Sequence, residues 1–288
     1  MSPSLSDRLP GTPRKVPKRI YHYTTQAGLI GILRSKSLWA TSIEFLNDSK
    51  EFHYTLDLFK QALDSRIKTA NKISRLPAAH NHVLRTLRVL RRATLGVRAG
   101  KTHVACFSED PDALSLWRGY CPGAAGFSIG FAPSQLDMNN YAIQLERCTY
   151  DRRMHVELIE DLVNSHVSTI IREESAEAFQ TRVEDTLAHV DLLACGLKHP
   201  SFKDEREWRI VIHEFSNTRQ ELSVRPGKFT PIPYIELKVV KPTKKLNVEI
   251  IVGPNPQIEL ASEAVRTLLA RFDCQGTVRK SEIPYREL

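Results

Sequence analysis

No stretch of the chain approaches the roughly eighteen consecutive apolar residues that a membrane-spanning helix needs, so no membrane contact is expected. Met1 to Lys18 lacks the apolar core of a signal peptide. With Pro3, Pro10, Pro13 and Pro17 set among Ser, Arg and Lys, residues 1–18 read as a disordered basic tail. Cysteine is sparse and odd in number, five in 288 residues with no C-x-x-C spacing. That excludes a disulfide framework and fits a reduced, cytoplasmic protein. No group of side chains has the spacing of a zinc site, so no metal is expected. No G-x-x-x-x-G-K-[ST] loop is present to cradle phosphates, and Gly253-Pro254 is too little to replace one. Internal repeats and low-complexity tracts are also missing.

Acidic residues are missing from one long stretch. Between Ser65 and Ser108 there is no Asp or Glu, while Arg66, Lys68, Lys72, Arg75, Arg85, Arg88, Arg91, Arg92, Arg98 and Lys101 all fall there. Arg153 to Asp191 is the reverse, with nine acids against three bases. The formal net charge is +8. Such asymmetry gives residues 65–108 a positive field for phosphates, nucleic acid or an acidic partner, although a solvated helix face is the plainer reading. Hydrophobic content of 41% and charged content of 26% are those of an ordinary globular chain.

Periodicity predicts mixed elements. Strands are expected at Ile20 to Thr24, Ser37 to Thr41, Thr102 to Phe107, Gly126 to Phe131, Tyr141 to Tyr150, Trp208 to Glu214, Tyr234 to Val239, Val248 to Val252 and Thr277 to Ile283. Thr25 caps a helix from Gln26 to Ser35 with Leu29, Ile32 and Leu33 as its apolar stripe. Asn47 and Asp48 read as a cap for a helix from Lys50 to Ile67. After a break at His80-Asn81-His82 a basic helix runs from Val83 to Thr94, with Leu84, Leu87 and Leu90 inward and Arg85, Arg88 and Arg92 outward. Further helices are expected after Leu114, in two pieces over Met154 to Cys195, and from Ile258 to Phe272. Without strict βαβ alternation the class is α+β. One domain is expected over residues 19–288, with a bent, split antiparallel sheet and an acidic helical insertion at 153–197.

Two short segments carry ionisable groups beside aromatics where a core strand would need only aliphatics: Arg19 to Thr25, and Phe202 to Ile210. If they meet, His22, Tyr21, Tyr23 and a glutamate share one cleft. Glu205 and Glu207 would point to the same face of a strand. Each also has a plainer reading. His22 suits a satisfied core histidine, Glu207 beside Arg206 and Arg209 suits an ion pair, and Trp117 with Tyr120 suits helix packing. Ser108, before Glu109-Asp110-Pro111, suits a turn.

The ordered set Tyr21-His22-Tyr23-Thr24, Leu38-Trp39-Ala40-Thr41, Phe45-x-Asn47-Asp48-x-x-Glu51, Cys106-Phe107-Ser108, Leu116-Trp117-x-x-Tyr120 and Glu205-x-Glu207-Trp208-Arg209 resembles the bacterial domain-of-unknown-function family twenty-nine seventy-one. Ile251-Val252-Gly253-Pro254 and Ile283-Pro284-Tyr285-Arg286 extend the resemblance, which runs from Arg19 to Arg286. More distantly the pattern is similar to ADP-ribosyltransferases with a His-Tyr-Glu triad. That resemblance implies NAD as substrate, and transfer of ADP-ribose to nucleic acid or protein in a toxin or phage-defence setting. It assigns His22 to a ribose hydroxyl and Glu207 or Glu205 to catalysis. Tyr21, Tyr23, Thr24, Phe107, Ser108, Trp117 and Tyr120 would lie around the cofactor, and Arg118 or the basic helix would meet phosphate. The middle motif departs from the family's Ser-Thr-Ser form. Two rival readings stay open: a non-catalytic module that binds a nucleotide or nucleic acid, and a phosphodiesterase or nuclease using His22 and Glu207.

Overall fold

The computed structural model describes residues 16–46, 51–72, 78–95, 102–121, 125–136, 143–173, 175–213, 222–240 and 244–284. The expected tail over 1–18, apart from its last three residues, and the Asn47-Asp48 cap lie outside them. The elements in chain order are β1 (Ile20–Thr25), α1 (Gln26–Ser35), β2 (Ser37–Ser42), α2 (Glu51–Asn71), α3 (Ala78–Ala93), β3 (Thr102–Ser108), α4 (Leu114–Tyr120), β4 (Gly126–Phe131) and β5 (Ile143–Arg147). They continue with α5 (Arg152–Ile170), α6 (Ala176–Ala194), β6 (Glu207–His213), β7 (Leu222–Arg225), β8 (Ile232–Lys238), β9 (Asn247–Val252), α7 (Ile258–Arg271) and β10 (Gln275–Lys280). The class is α+β, with an open and mostly antiparallel ten-stranded sheet. The chain divides into two compact units, one of Met1–Thr41, His103–Arg147 and Phe202–Leu288, the other of Ser42–Thr102 and Cys148–Ser201.

The first unit carries the sheet, ordered β10-β9-β4-β1-β3-β2-β8-β7, with β6 pairing both β3 and β5. β9 and β10, joined through α7, pair in parallel. β3 therefore has three partners, β1, β2 and β6. A strand has two edges, so the ladder must branch there. β1 meets β3 at Tyr21 opposite Ser108.

Alternation along β1 divides its side chains between two packing layers. Ile20 joins a core with Leu29 and Leu33 of α1, Ile129 and Phe131 of β4, Ile250 of β9 and Leu269 of α7. Tyr21 and Tyr23 join the other layer, with Leu116 and Trp117 of α4 and Ile251 of β9. α1 starts where the sequence predicts. The Thr25 hydroxyl accepts the Gly28 N–H at 3.3 Å, and Lys36 closes the helix in the left-handed region at φ 53°.

The second unit is helical. α2 packs on α3, α5 and α6, and α5 packs on α6. Leu84, Leu87 and Leu90 are buried as expected, with Phe59 and Leu63 of α2 and Ile159 and Val163 of α5. α3 begins at Ala78, so the helix runs through His80-Asn81-His82 rather than starting after it. Buried His155 links the helices: its Nε2–H donates to the Thr149 carbonyl at 2.8 Å, and its Nδ1 accepts from the Tyr54 hydroxyl at 2.9 Å.

Candidate functional site

The sheet unit has an open pocket beside the branch in the sheet, with about 300 Å³ of empty space counting its mouth. β1 lines it with Tyr21, His22 and Tyr23, and β3 with Cys106, Phe107 and Ser108. α4 supplies Leu116 and Tyr120, and the approach to β6 supplies Glu205 and Glu207. The two ionisable segments singled out in the sequence, about 180 residues apart, thus meet on one pocket. Thr24 and Trp117 are not among its lining residues. Trp117 is 4% exposed and donates its indole N–H to Asp112 at 2.8 Å, so it serves the core under α4.

His22 stands where the ladder opens. Its Nδ1 lies 2.9 Å from the carbonyl oxygen of Cys106, which can only accept, so Nδ1 carries the proton. Burial pushes its pKa below the ordinary 6.5, against a smaller opposing pull from that carbonyl. A neutral imidazole with Nε2 as acceptor follows. The ring meets Phe107 edge-on at 5.8 Å, and Phe107 meets Phe131 likewise at 6.1 Å.

The two tyrosines flanking His22 are anchored by their hydroxyls. Tyr21 donates to Glu249 at 2.8 Å, and burial together with that carboxylate raises its pKa to about 12. Tyr23 donates to the Asp110 carbonyl at 2.9 Å, accepts from the Ala113 N–H at 2.8 Å, and is likewise pushed up by burial. Neither can exchange a proton near pH 7. Tyr120, half-buried at the end of α4, is the more exposed of the three lining tyrosines.

The glutamates are not equivalent, and the expectation that both face one side of a strand is corrected. Residues Pro200–Glu205 form a 3₁₀ turn, Arg206 takes φ 45°, and β6 begins only at Glu207. The left-handed residue breaks the period of two, so the spacing of Glu205 and Glu207 no longer sets their directions. Glu207 is 2% exposed and Arg209 1%. The Arg209 Nε donates to Glu207 Oε1 at 2.8 Å and its Nη2 to Oε2 at 3.0 Å, a bidentate pair. Glu146, also buried, lies directly opposite Arg209 across the β5–β6 ladder. Glu205 is half-buried at the end of its turn.

Contacts through Glu109 and Ser108 hold the turn, and sequence reading missed them. Glu109 accepts from the Trp208 indole at 2.8 Å, pairs with Arg147 at 3.0 Å and takes the Arg206 guanidinium at 3.0 Å. Burial works to raise its pKa, but the Trp208 hydrogen bond and the two arginines outweigh it and hold the carboxyl below its usual range. The Ser108 hydroxyl donates to the Glu205 carbonyl at 2.7 Å and accepts from the Asp110 N–H at 3.0 Å, so Ser108 positions the turn. Glu109 reads locally as a turn residue. Its partners lie 38 to 99 positions away, and nothing nearby in the chain announces them.

The basic residues lie elsewhere. Arg85, Arg88 and Arg92 are exposed on α3 in the helical unit, and Arg88 donates to Asn71 at 3.1 Å. Arg91 pairs with Asp64, and Arg66 with Glu160, so acids from neighbouring helices offset part of the positive stretch. Arg118 is exposed on α4 and does not line the pocket. Among the described residues no three His, Cys, Asp or Glu side chains cluster as metal ligands would, and no helix is long and apolar enough to cross a membrane. The five cysteines are free thiols.

Fold and site together define an α+β protein with a small pocket of mixed aromatic and acidic lining where its sheet branches. Residues 116–210 match the model of a family described as a protein of unknown function (DUF2971). Leu116-Trp117-x-x-Tyr120 and Glu205-x-Glu207-Trp208-Arg209 fall inside that match, whereas the β1 and β3 segments of the pocket fall outside it. No curated protein and no solved structure matches the chain.

Proposed function

We propose that the chain is an NAD-cleaving enzyme of the ADP-ribosyltransferase type, with the nicotinamide riboside end of NAD in the His22 pocket. The observation that carries this reading is the convergence of a neutral, carbonyl-oriented histidine, a half-buried tyrosine and a half-buried glutamate at the branch of the sheet.

In this reading the glycosidic C1′–N bond breaks and nicotinamide leaves with the bonding pair. The positive charge that builds on the ribose is stabilised by a carboxylate. Glu205, half-buried on the pocket lining, takes that role and receives the proton of the attacking nucleophile, while Glu207 stays in its bidentate pair with Arg209. The Nε2 of His22 accepts a ribose hydroxyl and fixes its orientation. Tyr120 offers a ring face to nicotinamide. The acceptor is a nucleophile on nucleic acid or protein.

The bidentate Glu207–Arg209 pair favours a second reading, since a carboxylate committed to structure suits a pocket that binds a nucleotide without cleaving it. Nicotinamide release from NAD, followed chromatographically with and without DNA, RNA and cell extract, decides between them. Release that is lost in Glu205→Gln while the folded state keeps its melting temperature supports the enzyme. NAD binding without release supports the binding module, and neither binding nor release refutes both.

A further inference from the structure

Leu38-Trp39-Ala40-Thr41 has no part in the pocket, yet it places an indole where a strand would not need one. Leu38 and Ala40 of β2 are buried at 1% and 0% exposure, while Trp39 between them points to the opposite face and is 49% exposed. A lone exposed indole would need no explanation, but this one is paired with a second ring. Tyr234 of β8 is opposite Thr41 in register and so diagonal to Trp39. The two rings lie 4.5 Å apart with an interplanar angle of 31°. At that separation the rings are stacked with a tilt, so Tyr234 backs one face of the half-exposed indole.

A cation stands beside it. The guanidinium carbon of Arg225 on β7 is 6.0 Å from the centroid of the Trp39 ring. Its buried Nε has no hydrogen-bond partner, and Arg225 forms no ion pair, among the described residues. The acid that shares this face, Glu236 opposite Trp39, is taken up by Lys238 at 2.7 Å and Ser37 at 2.8 Å. Those contacts hold its carboxyl below the usual range. A half-exposed indole with a guanidinium over its ring, paired with no carboxylate among the described residues, matches a planar ring that carries an anion. A neutral sugar would leave the Arg225 charge without a counter-charge.

We propose that Trp39, Tyr234 and Arg225 form a binding site for a nucleobase and its phosphate, the base stacking on the open half of the indole and the phosphate meeting Arg225. Aromatic side chains on an exposed sheet face are an effective base platform because every base has a π-face. The same chemistry is offered by a single-stranded nucleic acid and by a free nucleotide. The proposal does not depend on NAD chemistry in the His22 pocket.

Tryptophan fluorescence of the full chain tests it. Of the three tryptophans, Trp117 and Trp208 are 4% exposed and give their indole N–H groups to Asp112 and Glu109. Quenching that disappears in Trp39→Phe therefore reports a base stacked on Trp39. Titration with a ten-nucleotide single strand of DNA or RNA, with adenosine monophosphate, and with duplex DNA should give saturable quenching by the single strands. Saturation by the mononucleotide at equal affinity would name the free nucleotide as the source and still uphold the site. Binding of a fluorescein-labelled strand, read by anisotropy, should weaken about tenfold in Trp39→Ala and much less in Trp39→Phe, which keeps a ring. Arg225→Glu should weaken it and reduce its salt dependence. Nicotinamide release should not change in Trp39→Phe. Absence of quenching by every ligand, or binding that survives both Trp39→Ala and Arg225→Glu, would overturn the proposal.

Discussion

Removing Arg209 tests whether the floor of the pocket is dry. Arg209→Met keeps the length and apolar stem of the side chain but leaves buried Glu207 without its bidentate partner and buried Glu146 without the cation opposite it. Breaking a buried pair from one side costs about 3–5 kcal/mol, because the remaining charge stays desolvated. At roughly 2–4 °C per kcal/mol for a chain of this size, the melting temperature at pH 7 should fall by about 6–20 °C. The deficit should shrink toward pH 4, where buried carboxylates in the variant take up protons and no longer require a counter-charge. Glu207→Gln in the same background should restore part of the loss, since it removes one of the two stranded charges. Thermal melts of the wild type and the two variants between pH 4 and 8 give the answer. A loss below about 1 kcal/mol that does not vary with pH would mean that water reaches Glu207. It would then refute the division of roles in which Glu207 is structural and Glu205 reacts.

Three further expectations can be measured directly. His22, His103 and His155 all have pKa values lowered by burial, that of His103 to about 4, so each is held neutral in the fold. The unfolded chain takes up their protons first, and stability is therefore present above about pH 6.5 and lost as pH falls through the folded values. His22→Asn cannot charge, so its stability should decline less steeply below pH 6.5 than that of the wild type; equal slopes in urea titrations would sink the assignment. Thr25→Ala removes the hydroxyl that receives the Gly28 N–H and should cost about 1 kcal/mol, read from the urea midpoint, whereas Thr25→Ser should cost less. Tyr21→Phe should also cost about 1 kcal/mol through Glu249, with no change in the pH profile of any activity, because the hydroxyl stays protonated to about pH 12.

Local pattern accounts for a large share of the fold. Alternation located β1, β2, β4 and β9, and β-branched and aromatic residues over Gly126 to Phe131 matched β4 to the residue. Thr25 marked the start of α1, because a cap acts on donors only three residues away. The apolar stripe of Leu84, Leu87 and Leu90 identified the inner face of α3. β7 was not legible: a four-residue edge strand, half of it exposed, has too short a pattern to stand out. The 3₁₀ turn before β6 was missed as well. Arg206 is held at a positive φ by Glu109, and that contact spans 97 positions.

For the site, residue types alone singled out His22, its two flanking tyrosines and the glutamates at 205 and 207, since ionisable groups beside aromatics are out of place in ordinary core strands; Tyr120 entered only through the resemblance. Their meeting on one pocket, and the separation of the two glutamates into a buried ion pair and a half-buried carboxylate, came from the branching of the sheet at β3. Charge in a sequence says which groups can pair; burial and a partner's position decide which do. Arg209 took Glu207 because the strand sets both on one face in a dry interior, and Arg225 was left beside Trp39 because Lys238 and Ser37 had already engaged the nearby acid. The chain by itself thus determined its elements and the kinds of chemistry it carries, through forces that act within a few residues. Tertiary structure alone decided which of those groups are neutralised and which line the pocket, because desolvation and long-range pairing exist only once distant segments have packed together.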